Sequence, residues 1–207
     1  MLIHPWDAAH DETEWRSWLA THDFGQLAAN GVNGGPPMVV PTHFVFDGDR
    51  EIVLHLARPN PIWAALEANP TVVVSVHDDY AFIPGTWRSD SPDEGVPTSY
   101  YATVQLTCRA EIVDDKEAKA KILRRQLAHH QPEGGHGVVA AGEGPYHRML
   151  PGIRGLRLEV AEVRAKFKYD DKKPVEFQEQ VAARLAERDL PGDADARAQQ
   201  LRRLRLR

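Results

Sequence analysis

Apolar and polar residues alternate without a break along Thr103-Val104-Gln105-Leu106-Thr107-Cys108-Arg109-Ala110-Glu111-Ile112. That period of two belongs to a strand buried on one face. Short segments rich in Val, Ile, Thr and aromatic residues predict further strands at 26–30, 38–46, 51–57, 71–76, 81–84, 100–113 and 155–168. The turn signals Asn33-Gly34-Gly35-Pro36 and Asp47-Gly48-Asp49 separate several of them, and the second reads as a hairpin. Helical spacing recurs at Trp15, Trp18 and Leu19 behind Asp11 and Glu14, which resemble a capping box. Helices are also predicted over 60–69, 114–130 and 174–188. Long antiparallel strands with a few inserted helices predict a mainly β, α+β fold. A closed or nearly closed barrel follows, because closure removes exposed strand edges.

The stretch from Gln131 to Pro145 is glycine-rich and aperiodic, which predicts a mobile surface connection. Residues 1–190 read as one domain. From Pro191 the chain turns polar and then basic, with Arg197, Arg202, Arg203, Arg205 and Arg207, so 191–207 reads as a basic C-terminal tail. Such a tail is either a helix for a partner or an acidic polymer, or a solvated, frayed terminus.

At 207 residues the chain can bury one good core, and its net charge of -5 argues against nucleic-acid binding through bulk charge. No stretch reaches membrane-spanning length, and the start carries no leader pattern, which predicts a cytoplasmic protein. The single cysteine, Cys108, excludes an internal disulfide and reads as a buried, inert thiol. No Walker A, strand-linked G-x-G-x-x-G, H-E-x-x-H or paired CxxC sequence occurs. The histidines are scattered, and the neighbours His129 and His130 are expected to diverge on a helix, so no metal site is expected.

Candidate chemistry lies at strand ends. In His55-Leu56-Ala57-Arg58-Pro59-Asn60-Pro61-Ile62-Trp63 a strand breaks into a turn and a helix start, with Asn60 as N-cap and Pro61 in the first turn. Arg58 beside the free N–H groups of a helix start forms a candidate anion site; alternatively Arg58 pairs with a surface acid and Asn60 only caps the helix. Pro41 denies the sheet a donor beside Thr42 and His43. Trp87, after Pro84-Gly85, is a stacking plate or a core aromatic. Tyr100 and Tyr101, after Pro97-Thr98-Ser99, point to opposite faces of their strand. Lys166 to Lys173 reads as a solvated strand end.

In this order, Pro41-Thr42-His43, His55-Leu56-Ala57-Arg58 with Asn60-Pro61 and Trp63, Tyr80-Ala81-Phe82-Ile83-Pro84 with Trp87, and Val96-Pro97-Thr98 with Tyr100 or Tyr101 resemble the PaiB family. These are FMN-binding negative transcriptional regulators with a Greek-key split β-barrel of the pyridoxamine-phosphate-oxidase-like type. The resemblance runs from about His4 to Lys168. It implies a homodimer with FMN at the subunit interface. It places Thr42 and His43 near the isoalloxazine, and His55, Ala57, Arg58 and Asn60 near the ribityl phosphate. Trp87, Thr98 and Tyr100 are implied from the opposing subunit.

The chain departs from the family where a Ser-Gln-Asn-type motif is replaced by Tyr169-Asp170-Asp171-Lys172-Lys173, whose acids disfavour a phosphate. Ser99-Tyr100 also stands in place of the family's Trp-Asn pair. Three functions compete: a regulator that reaches DNA through the basic tail, an FMN-dependent oxidoreductase using NAD(P)H or another reductant, and a split-barrel dimer that has lost its cofactor, which the altered segment at Asp170-Asp171 keeps open. No residue is singled out as catalytic, with His43, His55 and Tyr100 as candidate proton donors.

Overall fold

The computed structural model describes residues 1–91 and 93–206. Seven strands, β1 (Phe24–Ala29), β2 (Met38–His43), β3 (Val45–Phe46), β4 (Glu51–Ala57), β5 (Thr71–Ile83), β6 (Thr98–Val113) and β7 (Ile153–Lys168), make one sheet in the order β2-β1-β5-β6-β7-β4-β3. The helices are α1 (Glu12–Leu19), α2 (Ile62–Ala68), α3 (Lys116–His130), α4 (Gly144–His147), α5 (Val175–Arg188) and α6 (Asp193–Leu204). The fold is α+β and mainly β, as the alternation predicts, and in the split-barrel class that the resemblance implies.

The predicted elements form for the predicted reasons. Asp11 Oδ1 accepts from the Glu14 N–H at 2.9 Å and Glu14 Oε2 accepts from the His10 N–H at 2.7 Å, which closes the box at the start of α1. Asp47 Oδ1 accepts from the N–H groups of Asp49 and Glu51, fixing the turn into β4. The strand expected over 38–46 is interrupted at Phe44, which is wholly buried and starts a new pairing of Val45 with Val53. The strands expected over 71–76 and 81–84 are one strand, β5. Its polar centre, His77-Asp78-Asp79, mimics a turn signal, but the chain passes through with only a left-handed kink at Asp79 (φ 56°).

The chain divides into two compact units, and β5, β6, β7 and α1 contribute residues to both. One unit comprises residues 16–76 and 105–163. In it β1 pairs antiparallel with β2 and β5, and β4 pairs with β7 so that His55 faces Gly155. A side chain at Gly155 would meet Ile122 Cδ1 at 2.7 Å, so the glycine lets α3 lie close on β7. Ile122, Val45, Val53 and Val113 form one apolar cluster under α3, and Ala120, Leu123, Val139 and Leu150 form another. The glycine-rich segment is thereby held rather than loose: Val139 is buried, and its carbonyl accepts from Arg124 Nη1 at 2.8 Å.

The other unit comprises residues 1–15, 77–104 and 164–207. Here, of the two readings open to the basic segment, the described residues take the helical one: 193–204 is the helix α6, packed against α5. Its inward face is Ala196, Gln200 and Arg203. The Arg203 side chain is 1 % exposed and holds Glu14 at 2.7 Å and Asp171 at 2.7 Å, while Arg202 also reaches Glu14 at 2.7 Å. Buried carboxylates therefore draw the tail inward. Arg207, the last of the basic residues, lies outside the described residues. The expected solvated strand end is likewise packed in, with Lys166, Phe167, Tyr169, Asp170 and Asp171 all buried.

Candidate functional site

A cavity of about 470 Å³ opens in the first of these units, between α3 and the ends of β2, β4 and β7. Its volume falls in the range of small-molecule sites. The polar lining is His43, His55, Gln126 and His130, and the apolar lining is Leu123, Leu127, Met149 and Ile153, with Tyr146 from α4. Along α3, residues 123, 126, 127 and 130 follow the 3, 4, 7 spacing of one helix face. Gln126 and His130 are the polar members of that face.

Gln126 is 3 % exposed. Its Oε1 lies 2.6 Å from His55 Nδ1, which therefore carries the proton and donates. Its Nε2 is buried without a hydrogen-bond partner. A buried unpartnered amide N–H costs about 1–3 kcal/mol, so a ligand acceptor in the cavity would relieve it. Around it the imidazoles gather: the His43 ring centroid is 6.1 Å from that of His55 and 4.8 Å from that of His130. Burial first, then the neighbouring His130 and His55, hold the His43 ring below the usual imidazole range, against the pull of Asp23. Burial likewise lowers His130, assisted by His129 and opposed by Asp23. Both rings are thus biased toward their neutral, acceptor-bearing form near neutral pH.

The sequence-predicted residues divide. His43 and His55 line the cavity, and Thr42 adjoins them, 6 % exposed with its hydroxyl donating to the His43 carbonyl at 3.0 Å. Ala57, Arg58 and Asn60 form the turn from β4 into α2. There Asn60 Oδ1 accepts from the Ile62 N–H at 3.1 Å, and the Ala57 carbonyl accepts from Trp63 Nε1 at 2.9 Å. Arg58 donates through Nε to the Pro151 carbonyl at 2.8 Å and through Nη2 to Asp114 at 3.0 Å. Asp114 is gripped as well by Arg154 at 2.6 Å. Of the two roles open to this segment, the pairing with an acid and the helix cap are the ones displayed. Any phosphate there meets an arginine already occupied by a carboxylate.

Trp87, Thr98 and Tyr100 lie in the other unit. Trp87 is partly exposed beneath the Arg188 guanidinium, 4.7 Å from its ring centroid, and the Thr98 hydroxyl accepts from Lys168 Nζ at 2.7 Å. Tyr100 is fully buried, donates to Asp170 Oδ2 at 3.1 Å and accepts from Gln200 Nε2 at 3.3 Å. Burial above all, then the Asp170 charge, pushes its phenol well above the ordinary range, so it keeps its proton. Asp170 and Asp171 are spent on Arg88, Tyr100 and Arg203 rather than presented to a phosphate. Cys108 is buried, its thiol pushed up to about 12, which keeps it protonated and inert.

Leu123, Gln126, Leu127, His130, Tyr146, Met149 and Ile153 were not marked by sequence reasoning. The α3 members carried a signal in their helical spacing, since a Gln and a His interrupt an otherwise apolar stripe. His129 and His130 also behave otherwise than expected. Their rings lie 4.7 Å apart, and both reach one carboxylate, Asp23 Oδ2, at 2.8 and 3.4 Å. At the last turn of a helix side chains are free to fold back, so adjacency does not enforce divergence. No helix among the described residues is long and apolar enough to cross a membrane.

Comparison with known proteins agrees with this architecture. The chain is similar to the protease synthase and sporulation protein PAI 2 of Bacillus subtilis (strain 168), 28 % identical over 116 residues, covering 55 % of this chain and 54 % of that protein. It thus spans about half the length of the curated relative it matches. Among solved structures it resembles the FAD and heme binding protein from Mycobacterium smegmatis, with a TM-score of 0.62 and 20 % identity over 86 % of this chain and 80 % of that one. It also resembles the flavocytochrome Anf3 from Azotobacter vinelandii, with a TM-score of 0.60 and 19 % identity over 79 % and 70 % of the two chains. At these identities the likeness to solved structures is one of fold. The family description "Putative FMN-binding domain" matches residues 1–162, and the chain belongs to that family.

Proposed function

We propose that the chain binds FMN, with the flavin ring in the cavity under α3, and that it acts as a flavin-dependent redox protein. The observation that carries the reading is Gln126, whose Nε2 is buried and unpartnered, in the wall of a cavity shared with Leu123, Leu127, Met149 and Ile153. A flat heteroaromatic ring with carbonyl and ring-nitrogen acceptors needs apolar walls and at least one fixed donor, and these residues fit it. At the phosphate end the fit requires Arg58 to exchange Asp114 for the cofactor, a swap of one anion for another that is open because the Arg58 side chain is 47 % exposed.

A bound flavin supplies hydride and single-electron transfer. The chain's own part is to exclude water with Leu127 and Met149, to orient the ring through Gln126, and to hold protons on His43 and His55 at the cavity wall. Regulation of transcription, as in the PaiB family that the sequence resembles, is the second reading. Its visible route to DNA was the basic tail, and Arg202 and Arg203 of that segment are committed to Glu14 and Asp171, which favours the redox reading. A homodimer, with Trp87 and Thr98 of the second copy completing the cofactor pocket, belongs to the same proposal. It draws support from the exposed Tyr80 and Phe82, side chains suited to an interface.

Titration of the purified chain with FMN, followed by flavin fluorescence and absorbance, tests the reading. Saturable quenching with one equivalent per chain is expected, and FMN at 100 times its dissociation constant should add about 2.7 kcal/mol of stability. Absence of both effects would sink it. Anaerobic mixing of the FMN-loaded protein with NADH and NADPH then separates a nicotinamide-dependent reductase from a flavin protein reduced by another donor.

A further inference from the structure

At the C-terminus of α3 two imidazoles converge on one carboxylate. Asp23 sits just before β1, and its carbonyl accepts from the Phe44 N–H at 2.9 Å, so its backbone is fixed. Its Oδ2 lies 2.8 Å from His129 Nε2 and 3.4 Å from His130 Nδ1, and the three prospective donor atoms all lie within 4.8 Å of one another. An ion pair needs one cation. His129 makes the hydrogen bond to that oxygen at 2.8 Å, while His130 stands beside it at 3.4 Å, and two charged rings there would repel each other.

We propose that Asp23, His129 and His130 bind a divalent first-row transition ion of the zinc(II) type. Two imidazoles and a carboxylate suit such ions and leave coordination positions open. In a tetrahedral zinc site, donor atoms stand about 3.3 Å apart, as follows from bond lengths of about 2.0–2.1 Å. The widest separation here closes by small rotations of side chains that are only partly buried, 27 % exposed for His130, 35 % for His129 and 41 % for Asp23. The setting favours a cation, because the last turn of a helix carries the negative end of its dipole and unpaired carbonyls. The site is built from this chain alone and does not rest on flavin binding.

The test uses the full chain without an affinity tag, stripped with chelator and free of flavin. Zinc(II) titrated calorimetrically is expected to bind with one equivalent, and D23A and H129A are each expected to weaken it at least tenfold. H136A, which removes an exposed histidine of the glycine-rich segment, should leave it unchanged. A second readout needs no variant: cobalt(II) should broaden the ring resonances of His129 and His130 in the unaltered protein before those of other histidines. The proposal is overturned if no zinc binds, if D23A and H129A leave the affinity within twofold, or if the broadening centres elsewhere.

Discussion

Gln126 Oε1 holds His55 Nδ1 at 2.6 Å, and in doing so turns its own Nε2 into a buried donor with nothing to donate to. One hydrogen bond fixes both the tautomer of the histidine and the direction of the orphaned amide. If that donor meets a flavin carbonyl, Gln126→Leu removes one hydrogen bond to the ring while keeping the volume of the helix face. The expected loss is about 1–1.5 kcal/mol, roughly tenfold in FMN affinity, with riboflavin weakened equally because the contact is to the ring. Fluorescence titration of both flavins checks it. Unchanged affinity together with a raised melting temperature would mean that the amide is only an unsatisfied polar group.

Arg58 gives an opposite pattern. Its competitor is Asp114, a carboxylate kept below its usual range chiefly by the hydrogen bond from Arg154. Arg58→Ala should cost FMN about 2 kcal/mol, near thirtyfold, and leave riboflavin binding within twofold, because only FMN carries the phosphate. Asp114→Asn should tighten FMN by releasing the guanidinium. If instead Arg58→Ala lowers the melting temperature and leaves FMN binding alone, the arginine serves only the Asp114 pair.

Legibility in the sequence tracked the range of the interactions. The alternation of 103–112, the Asp47-Gly48 turn, the Asp11 and Glu14 box and the helices at 62–68, 116–130 and 175–188 are local, and each formed within two residues or so of its expected limits. Cavity and tail were not local. Gln126 acquires its meaning from His55, 71 positions away, and Arg203 from Glu14, 189 positions away. No period or motif encodes such a partner. The His43, His55, His129 and His130 group read as scattered for the same reason, since the strand pairing of Phe24 with His43 is what brings the start of β1 beside the end of β2.

Arg203 ties α6 to the rest of its unit, and its loss should be expensive. Arg203→Met would leave Glu14 and Asp171 buried with a cation missing, a defect of about 3–5 kcal/mol. Adding Glu14→Gln should recover part of that loss, because it removes a charge left behind. Urea unfolding of the single and double variants measures both. Deleting residues 191–207 should destabilise at least as strongly as Arg203→Met, so a DNA gel-shift lost on deletion reports unfolding unless Arg197→Ala and Arg205→Ala, exposed positions on α6 and just past its end, lose it too.

Glu14 also gives the protein an acid limit. Burial acts to raise its pKa, but the His10 N–H and the charge and hydrogen bonds of Arg203 and Arg202 outweigh burial and hold it below the ordinary 4.5. A carboxylate whose folded pKa lies below its unfolded one contributes stability that is fully present above the unfolded value and is lost as the pH falls through the folded value. The urea midpoint of the wild type should therefore hold from pH 7 to about 5 and decline below the ordinary glutamate value, near 4.3. Glu14→Gln cannot titrate at this position. Its midpoint should lie below the wild type at pH 7, and the gap should narrow steadily as the pH drops under 4.5. A gap of constant width down to pH 3 would show that Glu14 contributes through shape and hydrogen bonding alone, with its charge playing no part in holding Arg203.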